Sequence, residues 1–222
     1  MRIALLGGTG DIGEGLALRW AYDSHHEIII GSRNPTRARE KAAEYETELS
    51  SRGLDRDISG FANEMAADRA DVAILAVPPY HVESTVESIA DRLDDETILV
   101  SPAVGMQRDE AGMHYHQPPA GSVTALAANA APEGVSTVGA FHTLAADQLA
   151  NLDVELSVDT LVVGDDADAK EIVMRLASEI EGLRPLDAGP IANAPEVESL
   201  TPLLINIARY NDGMFDVGVT FE

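Results

Sequence analysis

The chain has 222 residues, no cysteine, 45% hydrophobic residues and a formal charge of −23 from 38 acids against 15 bases. That length suits one large domain or one with a small appendage, and the missing cysteines exclude disulfides and thiolate-bound metal. Acids spread along the whole chain make nucleic acid and anionic membranes poor partners, and no apolar run is long enough to span a bilayer.

The chain then alternates between apolar runs and helical patterns. "RIALLG" is the first strand, and the Gly-rich turn behind it argues against a signal peptide. A helix is expected over "DIGEGLALRWAYDS", with Ile12, Leu16 and Trp20 on one face. "EIIIG" is a second strand ending at Gly31, and "PTRAREKAAEYETELSSRG" a second helix between Pro35 and Gly53. "DISGF", "DVAILAVPP" and "ETILVSP" follow as strands, with a helix in "HVESTVESIADRL". "GMQRDEAGMHYHQPPAG" has the composition of a loop. Beyond it come a helix in "VTALAANAAPEG", strands in "VSTVGAFHTL" and "DTLVVGDD", and an amphipathic helix in "ADAKEIVMRLASEIEG". A short strand in "LRPLDAGP" and an apolar helix in "VESLTPLLINIARYNDG" complete the pattern. Such alternation predicts an α/β fold of the Rossmann type, a doubly wound parallel sheet extended by extra strands. A seam at Asp187–Pro190 divides an extended Rossmann nucleotide-binding domain, 1–188, from a small C-terminal helical segment, 189–222.

The first strand runs straight into "GGTGDIG", which holds the spacing Gly8-x-Gly10-x-x-Gly13 and opens a helix. Glycines there permit a tight turn and close backbone approach to a pyrophosphate, which the helix N-terminus then faces. Thr9 adds a hydroxyl, and Asp11 is expected to cap the helix with its carboxylate turned from the phosphates. A protein that holds NAD carries an acid after its second strand, to bond the ribose hydroxyls. Here "GSRNPTR" offers Ser32, Arg33 and Arg37. An arginine fork matches a 2′-phosphate, so the expected dinucleotide is NADP(H) rather than NAD. The alternative is that both arginines decorate an acidic surface. In molar salt the Debye length is about 3 Å, which screens repulsion between an acidic protein and an anionic ligand.

Several segments together identify a family. "RIALLGGTGDIGEGLALR", "EIIIGSR", "AILAVP", "FHTL", "EIEGLRPLDAGPIAN" and "VESLTPLLINIARYN" occur in order along the chain, which resembles the F420-dependent NADP reductases. The resemblance implies hydride transfer between NADP(H) and the deazaflavin coenzyme F420, in a cleft that the C-terminal segment closes. It implies NADP contacts at Thr9, Gly10, Asp11, Ile12, Ser32, Arg33 and Arg37, with Pro79 and Glu83 near the ribose and pyrophosphate. Ala146 matches a backbone contact to the nicotinamide amide. His142 is either a hydrogen-bond partner of the deazaflavin or a structural histidine at a strand end. Ser199 and Thr201 either bond the deazaflavin or, with Pro202, are ordinary helix-start chemistry. No catalytic acid or base is expected, because positioning of two ring faces supplies the rate. No metal is expected either, since His114 and His116 lack further ligands. Leu203, Leu204 and Ile207 are read as a core or dimer stripe rather than a cofactor box. A homodimer in the cytoplasm of a salt-in, haloarchaeal-type cell is the setting the charge and the resemblance suggest. Reduction of a small imine or ketone by NADPH, or NADPH sensing without turnover, are the rival functions.

Overall fold

Apolar runs four to seven residues long become strands because both faces of the sheet are covered. The computed structural model describes residues 1–222. Eight strands form one sheet: β1 (Arg2–Leu6), β2 (Glu27–Ser32), β3 (Ile58–Ala62), β4 (Val72–Leu75), β5 (Ile98–Ser101), β8 (Ser136–Gly139), β9 (Val158–Gly164) and β10 (Leu183–Asp187). Their order is β10-β9-β8-β5-β4-β1-β2-β3. The chain winds outward from β1 to β3, returns, and builds the other half from β4, so the switch point lies between β1 and β4.

Alternate residues of each strand point to opposite faces. Ile3, Leu5, Ile28, Ile30 and Ile74 join a core covered by α1 (Asp11–Asp23), α2 (Pro35–Ser51) and α7 (Ala167–Ser178). Ala4, Leu6, Ile29, Ala73 and Leu75 meet α3 (Asn63–Ala67), α4 (Val82–Ile89) and α5 (Val123–Ala130) on the other face.

The sheet is parallel from β3 to β8, then reverses, because β8 pairs with β9 antiparallel. After Gly139 the chain does not cross back over a face. It packs α6 (Ala146–Ala150) along α1 and re-enters the sheet as β9, antiparallel to β8. The expected strand "VSTVGAFHTL" stops at Gly139. Phe141 adopts φ +67°, a left-handed conformation that no strand continues. Its ring meets Trp20 edge-on at 5.6 Å, and its N–H donates to Thr160 Oγ1 at 2.9 Å.

Two further expectations are corrected. The stretch read as a loop contains an antiparallel hairpin, β6 (Met106–Asp109) and β7 (Gly112–Tyr115). Asp109 accepts from the N–H groups of Ala111 and Gly112 to make the turn. The Asn206 carboxamide exchanges two hydrogen bonds with Met113, as a third strand would. Asn206 belongs to α8 (Ala194–Tyr210), which starts before "VESLTP". Pro195 opens the helix and Pro202 lies inside it, so Ser199 and Thr201 are mid-helix rather than at its start.

Candidate functional site

Two cavities open where α1 begins. The first, about 520 Å³, is lined by Gly7, Thr9 and Gly10, by Ser32, Arg33 and Arg37, and by Asn63, Ser84, Thr85 and Ser88. The second, about 420 Å³, is lined by Asp11, by 143–147, by Thr201, Leu204 and Ile205 of α8, and by Asp216 and Val217. Gly10 and Asp11 are consecutive, so one helix start divides the two.

The loop glycines have separable tasks. Gly7 takes φ +79° beneath the Ala76 carbonyl, and makes the turn. A Cβ on Gly13 would lie 2.6 Å from Gly8 Cα, so that glycine lets helix and loop touch. A Cβ on Gly10 would find only Gly7 O, at 3.5 Å. Nothing in the protein needs Gly10 to be bare, whereas a pyrophosphate approaching the backbone does, so the loop fits that group. The buried Tyr45 hydroxyl braces the loop from α2 by donating to Gly8 O at 3.0 Å.

Ser32 ends β2 and Arg33 follows it, and Arg37 reaches across to Thr9 O at 3.5 Å. Asn34 caps α2, accepting from Thr36 N and Arg37 N, and so fixes the direction in which Arg37 leaves the backbone. Glu64 is the one acid on the wall of this cavity. Asn63 is 5% exposed and its Oδ1 has no partner, although it lies against Gly31 at the end of β2. Its position is the start of α3, behind a short strand.

The second cleft is held to the first by Arg19 of α1. Its buried guanidinium donates to the carbonyls of Gln148, Leu149, Asn151 and Val154, at 2.8–3.0 Å. Carbonyls of the last turn of α6 and of the segment that follows it are thereby bonded by one side chain, while burial lowers the pKa of the guanidinium. Gly15 lets α6 lie close, since a Cβ there would meet Leu149 at 2.5 Å.

Residues 2–105 match a family model described as NADP oxidoreductase, coenzyme F420-dependent. The chain is 37% identical over 212 residues to the F420-dependent NADP reductase of Methanocaldococcus jannaschii, across 93% of this chain and 92% of that one. It belongs to the F420-dependent NADP reductase family. The reductase of Methanothermobacter thermautotrophicus is 38% identical over 210 residues, across 93% of this chain and 89% of that one. The fold matches the crystal structure of a candidate F420-dependent NADP reductase from Arthrobacter sp. FB24, with a TM-score of 0.79 at 23% identity. The match spans 99% of this chain and 98% of that one.

Against the family pattern, Thr9, Gly10, Ser32, Arg33 and Arg37 line the first cavity, and Asp11, Ala146 and Thr201 the second. Gly8, Gly13 and Ile12 pack the loop and helix instead of lining either. Asp11 does not cap α1: Gly10 is the N-cap, with no side-chain bond, and Asp11 is the first helical residue. Pro78 lines the first cavity where Pro79 was expected, and Glu83 is exposed, with its neighbours Ser84 and Thr85 on the wall. Ser84 and Ser88 are one turn apart on α4 and so share a face. Ser199 spends its hydroxyl on Glu196 O within α8, at 2.8 Å. His142 lines neither cavity. It is buried behind the second, its Nε2 3.3 Å from Thr124 Oγ1 and its Nδ1 without a partner. Thr201 bonds the His142 carbonyl at 2.8 Å. No group of acids and histidines has the arrangement of a metal site, and His114 pairs with Asp109.

Proposed function

We propose that this chain moves a hydride reversibly between NADP(H) and the deazaflavin coenzyme F420. Besides family membership, one observation carries this: an arginine-bearing cavity without an acid at the end of β2 adjoins, at Gly10 and Asp11, a cleft with apolar walls. When bound face to face, the nicotinamide and deazaflavin rings supply the redox chemistry, two electrons passing as a hydride between ring carbons.

The protein's part is binding, orientation and exclusion of water. Backbone N–H groups flanking Gly10, whose own N–H is donated to Gly7 O, meet the pyrophosphate at the positive end of α1. Arg33 and Arg37 take the 2′-phosphate, with Ser32 as a further donor. The Asn63 carboxamide, beside Gly31, serves the adenosine ribose. Ala146 offers backbone to the nicotinamide amide, while Leu204 and Ile205 keep water from the ring faces. No side chain is assigned as a catalytic acid or base.

The segment 189–222 serves as the cover of the second cleft, supported by the α8 and tail residues that line it. Outer-face residues of α8 and the tail, Leu203 at 53% and Phe215 at 83% exposure, suit a homodimer. The −23 charge suits a salt-rich cytoplasm. No helix is long and apolar enough to cross a membrane.

The test is an absorbance assay in molar KCl with NADPH and oxidised F420. Bleaching of the deazaflavin band, much faster with NADPH than with NADH, is the expected result. Folded protein that binds NADPH without bleaching would overturn the acceptor and direct attention to small imines or ketones.

A further inference from the structure

Glu198 sits in the middle of α8 with none of its surface exposed. Its Oε1 accepts from Thr124 N at 2.9 Å and Thr124 Oγ1 at 3.0 Å. Its Oε2 accepts from Val123 N and Tyr115 OH, both at 3.0 Å. Two of the four donors are backbone N–H groups at the start of α5, which can only donate. They favour the carboxylate form, and oppose the rise in pKa that burial imposes.

The Thr124 hydroxyl has one hydrogen and two close partners, Glu198 Oε1 and His142 Nε2. If it gave the hydrogen to His142, its lone pairs would face a carboxylate oxygen 3.0 Å away. Given to Glu198 instead, the hydrogen leaves a lone pair toward Nε2, which must then be the protonated nitrogen. Burial holds the imidazole neutral, its pKa brought down to about 4, so the ring has one proton and Nδ1 is bare.

We infer that Glu198 is a positioning residue that acts through Thr124 to fix His142 as its Nε2–H tautomer, which leaves Nδ1 as an acceptor. A buried acceptor with no partner is costly, and Nδ1 is such an acceptor in this fold. The next residue, Thr143, and the Thr201 that bonds the His142 carbonyl both line the second cleft. His142 itself lies just behind that cleft, so the second part of the inference is that a donor on the ligand, an N–H-bearing edge of a heterocycle, reaches Nδ1 from it. The identity of that heterocycle rests on the F420 assignment, while the tautomer does not.

Long-range proton–nitrogen correlation spectra of protein labelled in its six histidines read the tautomer without any ligand. A His142→Gln variant identifies the resonances. The expected spectrum has a protonated Nε2 and a bare Nδ1. Thr124→Val should move both nitrogens toward a mixture of tautomers, and Thr124→Ser should restore them. Glu198→Gln should shift them in the same sense; if it fails to fold, the Thr124 variants still decide. A protonated Nδ1 in the wild type, or an unchanged ring in folded Thr124→Val, would overturn the relay. Titration with F420 separates the second part: Thr124→Val should weaken its Kd about twofold for an even mixture of tautomers, the reciprocal of the fraction of rings that still present a bare Nδ1. A shifted tautomer with unchanged Kd would overturn Nδ1 as the ligand contact and leave the relay standing.

Discussion

The nucleotide cavity and the cleft behind Asp11 are neighbours built on different plans. The cavity takes most of its walls from short segments at the ends of neighbouring strands: 7–10 after β1, Ser32 and Arg33 at the end of β2, Asn63 after β3 and 76–78 after β4, with Arg37 of α2 and one face of α4 added. A strand end fixes where each begins, and Gly7 and Tyr45 lock the loop from both sides. The cleft brings together the start of α1, the turn after β8, the middle of α8 and two tail residues. Its geometry hangs on Arg19, Thr201 and Glu198, each bonding partners more than 50 residues away. Recognition of phosphate can thus be written locally, while holding a second ring system demands tertiary contacts.

The largest expected effect lies on the cleft side. His142 is buried neutral, with a folded pKa near 4 against 6.5 for the free side chain. The unfolded state binds its proton first, so this contribution is intact above pH 6.5 and lost as pH falls toward 4. The loss reaches about 3 kcal/mol. Urea titrations at pH 7 and pH 4 should show that drop in the wild type and not in His142→Gln. A drop of equal size in the variant would place the acid sensitivity elsewhere.

On the nucleotide side, Gly13→Ala should cost about 2–3 kcal/mol of stability, because its Cβ would strike backbone. Gly10→Ala should cost about 1 kcal/mol or less yet abolish tight nucleotide binding. Similar melting losses for the two would erase the distinction between a packing glycine and a ligand glycine. Arg33→Ala should weaken NADP by about 2 kcal/mol in calorimetric titration and leave NAD nearly unchanged. Equal losses would remove the 2′-phosphate from Arg33. Asn63→Ala should reduce the affinity for both dinucleotides alike, by about 1 kcal/mol. A loss confined to NADP would move Asn63 from ribose to phosphate.

The same contrast explains what could be read from the sequence. The Gly-rich loop and the Ser32–Arg33–Arg37 cluster were legible because strand end, turn and helix start are contiguous, and the structure gathers them in one cavity. Asn63 was missed because α3 is only five residues long, too short for helical periodicity to mark. The Ser84 and Ser88 face carries no signal beyond two hydroxyls a turn apart. The β6–β7 hairpin was missed because its strands are four residues long and largely exposed, completed by Asn206 from the far end of the chain. The end of β8 was misjudged because the bend at Phe141 depends on Trp20 and Thr160, which no local pattern reveals. α8 was placed too late because Thr201-Pro202 imitates a helix start that Pro195 provides.

Trp20 is the chain's single tryptophan, fully buried in α1, its indole N–H bonded to Leu176 O at 2.8 Å. Its ring touches Phe141, whose neighbour is His142. All indole emission therefore originates at one point, wedged between the helix that receives the pyrophosphate and the turn that backs the cleft. The indole thus reports on the packing between α1 and the Phe141 turn that backs the cleft, and a change in its emission on ligand addition would show that binding is felt there, with no dye attached and no residue exchanged.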